Sequence, residues 1–394
     1  MPIQPFNSKI IEFIQDHIDD NPAELMLKAT KFPGLPMRDI VTQIESRQKV
    51  KTKLPEWYAN PEFIFPPKLN LSQASSEITA RFKARWVKGS SIIDLTGGSG
   101  VDLYYMSSNF PFVSYVETNK ELCDIVEYNF EVSKKQVSVI NITTEGFLED
   151  TDRHFDVIYL DPSRRDSNVN RVFALEECEP NVVELYDQLL EKGEFIVIKA
   201  SPMLDIKRAL KQLPDTFKVQ VVAVDNEVKE VLFYIRKGNK SETKIEAWNL
   251  SDKKENQLFE FSFSEEKEAI SEIGQIQKYL YEPNSAIRKA GAFNLIGKQF
   301  GLDKLHSNTH LYSSDSFIKA FPGRILKTID VFQPSKKEIK KRFPNGKVNV
   351  VSKNYSLGAN DLKKKFRLLD GGDQFLFFCE EYERGKVCIK CEPV

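Results

Sequence analysis

The sequence predicts an α/β protein: a mostly parallel sheet finished by an antiparallel hairpin, with a helical region before it and small α+β domains after it. Three observations carry this. Strand-like apolar runs at Ser91–Leu95, Phe112–Glu117, Val137–Ile140, Phe155–Leu160 and Glu194–Lys199 are mostly separated by helical patterns, as parallel strands require. Three of these runs lead into an acid: Asp94, Glu117 and Asp161. Finally, Phe217–Val224 and Val228–Ile235 are joined only by Asp225-Asn226-Glu227. So short a link holds no crossover helix, so this pair is expected to run antiparallel.

Each region has its own signals. Residues 1–71 read as helical. Ile10, Ile14 and Ile18 form one apolar stripe, and Asn21-Pro22-Ala23-Glu24 supplies a cap, a first-turn proline and an acid. Gly34 and Pro36 interrupt, Ile40, Val41 and Ile44 mark a further helix, and an aromatic- and proline-rich connector runs through Phe63-Ile64-Phe65-Pro66-Pro67. Residues 72–240 hold the sheet, ending at the polar break Gly238–Lys244. Residues 241–333 read as an α+β unit, with strands near Ile245–Leu250 and Leu258–Phe263 and one helix over Ala286–Phe300 stopped by Gly301. Residues 334–394 combine short strands (Val348–Val351, Gln374–Cys379, Lys386–Ile389) with a lysine-rich helix near Ala359–Leu368.

A chain of 394 residues with 41% apolar content is expected to form several folded domains. No apolar run approaches the roughly 18 residues a membrane span needs. The start, Met1-Pro2-Ile3-Gln4-Pro5, does not read as a secretory signal, and five cysteines without a disulfide pattern point to the cytoplasm. The net charge is −1, yet Lys327 to Arg367 carries twelve Lys and Arg against three Asp and Glu. That stretch is either a solvated face or an attraction for phosphate.

The chemistry concentrates around Asp94-Leu95-Thr96-Gly97-Gly98-Ser99-Gly100. Gly98 and Gly100 let backbone amides approach a ligand. A dinucleotide fingerprint asks for glycine or alanine three positions after Gly100, where Leu103 stands, so a nicotinamide cofactor is disfavoured. Glu117 is placed to accept both hydroxyls of an adenosyl ribose; otherwise it would cap the helix that follows. In Asp161-Pro162-Ser163-Arg164-Arg165, Pro162 stiffens the loop, and Asp161 is placed to meet an acceptor amino group or the methionine part of a cofactor.

Together these residues resemble the class I S-adenosylmethionine-dependent methyltransferases. Asp94, Gly98 and Gly100 match the family's first motif, Thr96 replaces its first glycine, and Gly97 is an additional one. Glu117 matches the ribose-binding acid. Asp161-Pro162 matches the start of the acceptor motif, where Ser163 and Arg164 replace a proline and an aromatic residue. The adenine-binding residue has three candidates, Thr143, Thr144 and Glu145. Phe65-Pro66-Pro67-Lys68-Leu69, Gln73-Ala74-Ser75-Ser76-Glu77, the Asp161–Arg165 loop and Tyr281-Glu282-Pro283-Asn284-Ser285-Ala286-Ile287 look like a bacterial methyltransferase group with ferredoxin-like and C-terminal THUMP-like domains. The resemblance implies a Rossmann-like methyltransferase domain with S-adenosyl-L-methionine as cofactor and RNA, ribosomal or transfer, as partner.

On this reading Asp94, Thr96, Gly97, Gly98, Gly100, Glu117 and Asp161 hold the cofactor. Asp161, Pro162 and Ser163 form the catalytic loop, and Arg164 and Arg165 grip substrate phosphate. Gln73, Ser75 and Ser76 border the pocket or cap the helix that begins near Glu77. Cys388 and Cys391 have zinc-like spacing, but on a strand residues three apart face opposite ways, so no metal is expected. Two other functions remain in view: an RNA-binding module with a degenerate cofactor site, and a small-molecule methyltransferase.

Overall fold

In the computed structural model, residues 6–164 and 174–394 are described. The chain divides into two compact units, one of residues up to Lys218 together with Glu230–Ser241, the other of Val219–Lys229 and Glu242–Val394.

The first unit opens with helices. Asn21 caps Pro22–Leu27 as its sequence signature requires, its side chain accepting from the Ala23 and Glu24 amides. Ile40 and Ile44 of the helix Met37–Val50 are fully buried, and the same helix fixes the proline-rich connector. Gln43 bonds both the amide and the carbonyl of Phe65, Ser46 donates to the Pro66 carbonyl, and Arg47 donates to the carbonyls of Pro61 and Phe63. A segment with few backbone partners of its own is thereby satisfied by side chains.

The strands of this region are β1 (Ser91–Asp94), β2 (Phe112–Val116), β3 (Ser138–Ile140), β4 (Phe155–Leu160), β5 (Gly193–Ala200), β6 (Thr216–Val224) and β7 (Glu227–Ile235). Within the first unit they stand in the order β3-β2-β1-β4-β5-β7. β1 through β5 pair in parallel, whereas β7 runs antiparallel to β5. The helices Val101–Met106, Lys120–Val132, Thr144–Asp150 and Tyr186–Lys192 fall between successive parallel strands. The link between β6 and β7 is the tight turn expected of a hairpin: Asp225 and Asn226 both take positive φ, 46° and 67°. That conformation suits the tight turn of a two-residue hairpin loop, and Asp and Asn tolerate it better than most residues.

The second unit holds the hairpin tip, Lys244–Leu250 and Gln257–Ser262 as antiparallel neighbours, and a seven-stranded sheet. That sheet runs in the order Asp303–His306, Thr309–Ser314, Tyr279–Pro283, Gly323–Phe332, Gly385–Pro393, Phe375–Glu381, Asn349–Lys353. Leu280, Leu311, Leu326, Phe377 and Ile389 fill one core against it, and Phe332, Ile339, Leu362, Leu376 and Phe378 fill another.

One expectation is corrected here. The single helix over Ala286–Phe300 is two, Ser285–Ala290 and Leu295–Phe300. Gly291 ends the first at φ +89°, and the Glu266 carboxylate starts the second by accepting from the amides of Phe293, Asn294 and Leu295. The apolar spacing reads the same through both helices, because the break is made by a distant acid.

Candidate active site

The register of the central strands brings the three acids to one edge. Asp94 lies opposite Tyr115 of β2 and Tyr159 of β4. Glu117 and Asp161, each two residues beyond those tyrosines, leave the sheet on either side of the turn after Asp94. This edge is the carboxyl end of the parallel strands, where open α/β folds bind their ligands.

Close packing dictates glycine in that turn. A Cβ on Gly97 would stand 2.5 Å from the Tyr115 ring and 2.8 Å from the Val116 carbonyl oxygen. Gly98 and Gly100 take φ +57° and +70°, and Gly100 caps the helix Val101–Met106. The Gly98 N–H donates to Glu117 Oε2 at 2.9 Å, and the Tyr115 hydroxyl donates to the Gly98 carbonyl at 2.7 Å. Glu117 Oε1 accepts from the Asn119 amide at 2.8 Å. Helix capping, the plain role open to Glu117, falls instead to Asn119, whose side chain accepts from Glu121 and Leu122. Glu117 is left half-buried at the rim of the turn.

Thr96, which stands where the resemblance expects glycine, is fully employed. Its amide and its hydroxyl both donate to Asp94 Oδ1, at 2.9 and 3.1 Å. The hydroxyl also accepts from the Asp161 amide at 2.6 Å, joining the glycine turn to the loop after β4. Burial pushes the Asp94 carboxyl up to about 7; the Thr96 bonds oppose this and the neighbouring Asp102 adds to it.

Behind Asp161 lies a buried charge network that was not foreseen. Lys199 of β5 contacts Asp161 Oδ2 at 2.5 Å and Asp102 Oδ2 at 3.3 Å. Lys83, from the helix Glu77–Ala84, pairs with Asp102 at 3.2 Å and with Glu230 of β7 at 2.6 Å. The Ser75 hydroxyl donates to Asp102 Oδ2 at 2.9 Å and accepts from both ammonium groups at 3.1 Å. Tyr159 donates to the same Asp102 oxygen at 2.7 Å. Burial alone would raise the Asp102 pKa, but Lys83 and Lys199, helped by Tyr159 and Ser75, hold it well below the usual carboxylate range. A signal for this network exists in the sequence: Lys199 ends the apolar run Phe195–Ile198, and Glu230 interrupts Val228–Ile235. A lone charge inside an apolar strand requires a buried partner.

The remaining candidates are placed as follows. Pro162 is buried, and Ser163 is exposed in a two-residue strand, Ser163–Arg164, that pairs with Cys178–Glu179. The backbone of Arg164 lies in that strand; Arg165 lies outside the described residues. Thr143 caps the helix Thr144–Asp150 and is exposed, as is Glu145, whereas Thr144 is buried and its hydroxyl donates to the Leu95 carbonyl at 2.6 Å, so the three adenine candidates are not reduced to one. Ser76 occupies the cap position of its helix without a side-chain bond to the backbone, and Gln73 is exposed. Cys388 and Cys391 sit in different hydrophobic clusters and so do not face a common ligand. His310 stacks on Phe293 with centroids 3.7 Å apart, and burial lowers its pKa to about 4. Among the described residues no helix is long and apolar enough to cross a membrane.

Comparison with known proteins adds the domain identities. Residues 75–219 match a family described as conserved hypothetical protein 95, residues 279–322 a ferredoxin-like domain, and residues 323–393 a THUMP domain-like family. A crystal structure of a candidate methyltransferase from Porphyromonas gingivalis W83 is 29% identical, covers 99% of this chain and 100% of its own, and superposes with a TM-score of 0.88. This chain has the methyltransferase-like fold with ferredoxin-like and THUMP-like domains. Among more distant structures, the Pyrococcus abyssi tRNA (uracil-54, C5)-methyltransferase with S-adenosyl-L-homocysteine is 17% identical over 45% of this chain and 41% of its own, at a TM-score of 0.31. M. capricolum TrmK with the same cofactor product is 14% identical over 45% and 71%, at 0.32. No curated protein matches the chain.

Proposed function

We propose that this methyltransferase-fold protein uses S-adenosyl-L-methionine to methylate a base of RNA, an exocyclic amine being one acceptor. The observation that carries the cofactor assignment is the contact between the Gly98 amide and the Glu117 carboxylate at the open edge of a parallel sheet. Gly98, where a Cβ would meet nothing closer than the Thr96 carbonyl oxygen at 3.6 Å, fits the close approach of a methionyl group, and a half-buried carboxylate beside it fits a ribose diol. The cofactor supplies a methyl group that is already activated. What falls to the protein is to align the acceptor and exclude water. Asp161 accepts hydrogen bonds from the acceptor nitrogen and orients its lone pair, Pro162 stiffens the loop, and Ser163 lies at its mouth. Arg164 and Arg165 take a phosphate of the substrate.

The match to a THUMP-like family over residues 323–393 supports RNA as substrate. So does the charge of that region: Lys336, Lys337, Lys340, Lys341, Lys364 and Lys365 are exposed and make no ion pair among the described residues. A target base would have to be unpaired or flipped to reach the site. A degenerate cofactor site loses one of its two grounds, because Thr96 links Asp94 to Asp161; the other, the missing aromatic after Pro162, stands.

The test has two stages. Calorimetry with S-adenosyl-L-homocysteine should show binding that Glu117→Ala weakens at least about tenfold, the scale of one lost charge-assisted hydrogen-bond pair. Incubation with labelled S-adenosyl-L-methionine and total bacterial RNA, followed by nucleoside analysis, should yield one methylated nucleoside. Absence of cofactor binding overturns the proposal; turnover without nucleic acid replaces RNA by a small molecule.

A further inference from the structure

We propose that Lys199 is the positioning residue of the acceptor site, locking one oxygen of Asp161 so that the other faces the substrate. The inference rests on the methyltransferase reading for its consequence, though not for its geometry. Lys199 Nζ has three N–H donors, and three acceptors surround it: Asp161 Oδ2 at 2.5 Å, Ser75 Oγ at 3.1 Å and Asp102 Oδ2 at 3.3 Å. The ammonium therefore has no donor left for a substrate and acts only through Asp161. Its side chain is 11% exposed, whereas that of Asp161 is 39% exposed. Asp161 Oδ1 has no hydrogen-bond partner among the described residues. The Asp161 backbone is pinned separately, its amide donating to Thr96. A carboxylate tied at its amide and at one oxygen presents the second oxygen in a fixed direction, as a pure acceptor that selects N–H or O–H donors.

Charge supports this division of labour. The groups that act on Asp161 are Lys199, Asp102, Lys83, Asp94 and Tyr159, and Glu230 acts on Lys199 behind them. Burial, which Lys199 and less strongly Lys83 oppose and Asp102 reinforces, leaves the Asp161 pKa above the usual aspartate value. Without Lys199 only the more distant Lys83 would counter Asp102 and burial, and Asp161 would hold its proton to higher pH. A protonated Asp161 could donate where the acceptor also donates, so alignment would fail.

The test reads Asp161 directly, in the full-length protein without ligand. With 13C-carboxyl aspartate labelling, the Asp161 resonance is assigned by its loss in Asp161→Asn, then titrated in wild type and in Lys199→Met. We expect the midpoint to rise by about one to three pH units in Lys199→Met, the range an adjacent cation accounts for, and to return toward wild type in Lys199→Arg. In parallel, the acid limb of methyl transfer to total RNA should move upward by the same amount while S-adenosyl-L-homocysteine affinity changes less than about threefold. An unchanged Asp161 midpoint overturns the inference. So does an unchanged acid limb with full transfer in Lys199→Met. Should wild type transfer no methyl group, the reaction assignment falls while the titration still decides the role of Lys199. If Lys199→Met folds poorly, Lys199→Gln, which keeps a donor for Ser75 and Asp102, makes the same comparison.

Discussion

Two buried charge clusters, one in each unit, solve the same problem in opposite ways. In the first unit three acids (Asp102, Glu230, Asp161) share two lysines, Lys83 and Lys199. In the second, one acid, Glu282, is shared by three cations: Arg324 at 2.5 Å, Lys353 at 2.7 Å and Arg288 at 3.9 Å. Burial would raise the Glu282 pKa, but the surrounding cations keep it below the usual range. The first cluster is left with a surplus negative charge and the second with surplus positive charge. In each case the surplus is carried by the better-hydrated members, Asp161 in one and the two arginines in the other. Interior positions thus hold matched charges, and the imbalance is passed outward to where water or a ligand meets it.

That contrast can be broken experimentally. The largest effect is expected at Asp102, the one of these three acids that touches both lysines: Asp102→Asn should cost about 3–5 kcal/mol in denaturant unfolding, the scale of a broken buried pair. Because its folded-state pKa is lowered, the contribution of Asp102 is complete above the ordinary aspartate value and is lost as pH falls below it. Glu282→Gln should cost less, about 2–3 kcal/mol, since its arginines can turn partly to solvent. A cost equal to that of Asp102→Asn would erase the distinction between the clusters. Gly97→Ala, which drives a methyl group into Tyr115, should cost about 1–3 kcal/mol and abolish S-adenosyl-L-homocysteine binding in calorimetry.

The smallest effect concerns pH. Asp94 has its folded-state value raised to about 7, so its contribution is complete in acid and fades as pH rises through that value. Wild type should therefore lose about 1–2 kcal/mol between pH 5.5 and 8, with the loss absent in Asp94→Asn. An equal slope in both proteins would place the titration elsewhere.

The sheet and its acidic edge were legible because strand ends, glycines and short links act locally. Register did the rest: once Asp94 faces Tyr115 and Tyr159, Glu117 and Asp161 have nowhere else to emerge. The charge network was legible only in part. Lys199 and Glu230 stand out in apolar runs, but Lys83 looks like any lysine in an amphipathic helix, and Ser75 like a capping serine. Their meeting depends on partners separated by as many as 147 positions, which periodicity does not encode. For the same reason one helix was expected over Ala286–Phe300, where Glu266 cuts in from outside. Thr96 shows the reverse error: a departure from a motif looked like damage, whereas its hydroxyl has two partners.

The strand Gly323–Phe332 pairs with Tyr279–Pro283 along one side and with Gly385–Pro393 along the other. The ferredoxin-like and THUMP-like segments are therefore stitched into a single ladder. Cutting the chain at 322/323 would bare two raw β-edges, each a template for fibre-like self-association. The pair should instead melt as one cooperative block, so a fragment meant to isolate the basic surface has to begin upstream of Tyr279 and run through Pro393.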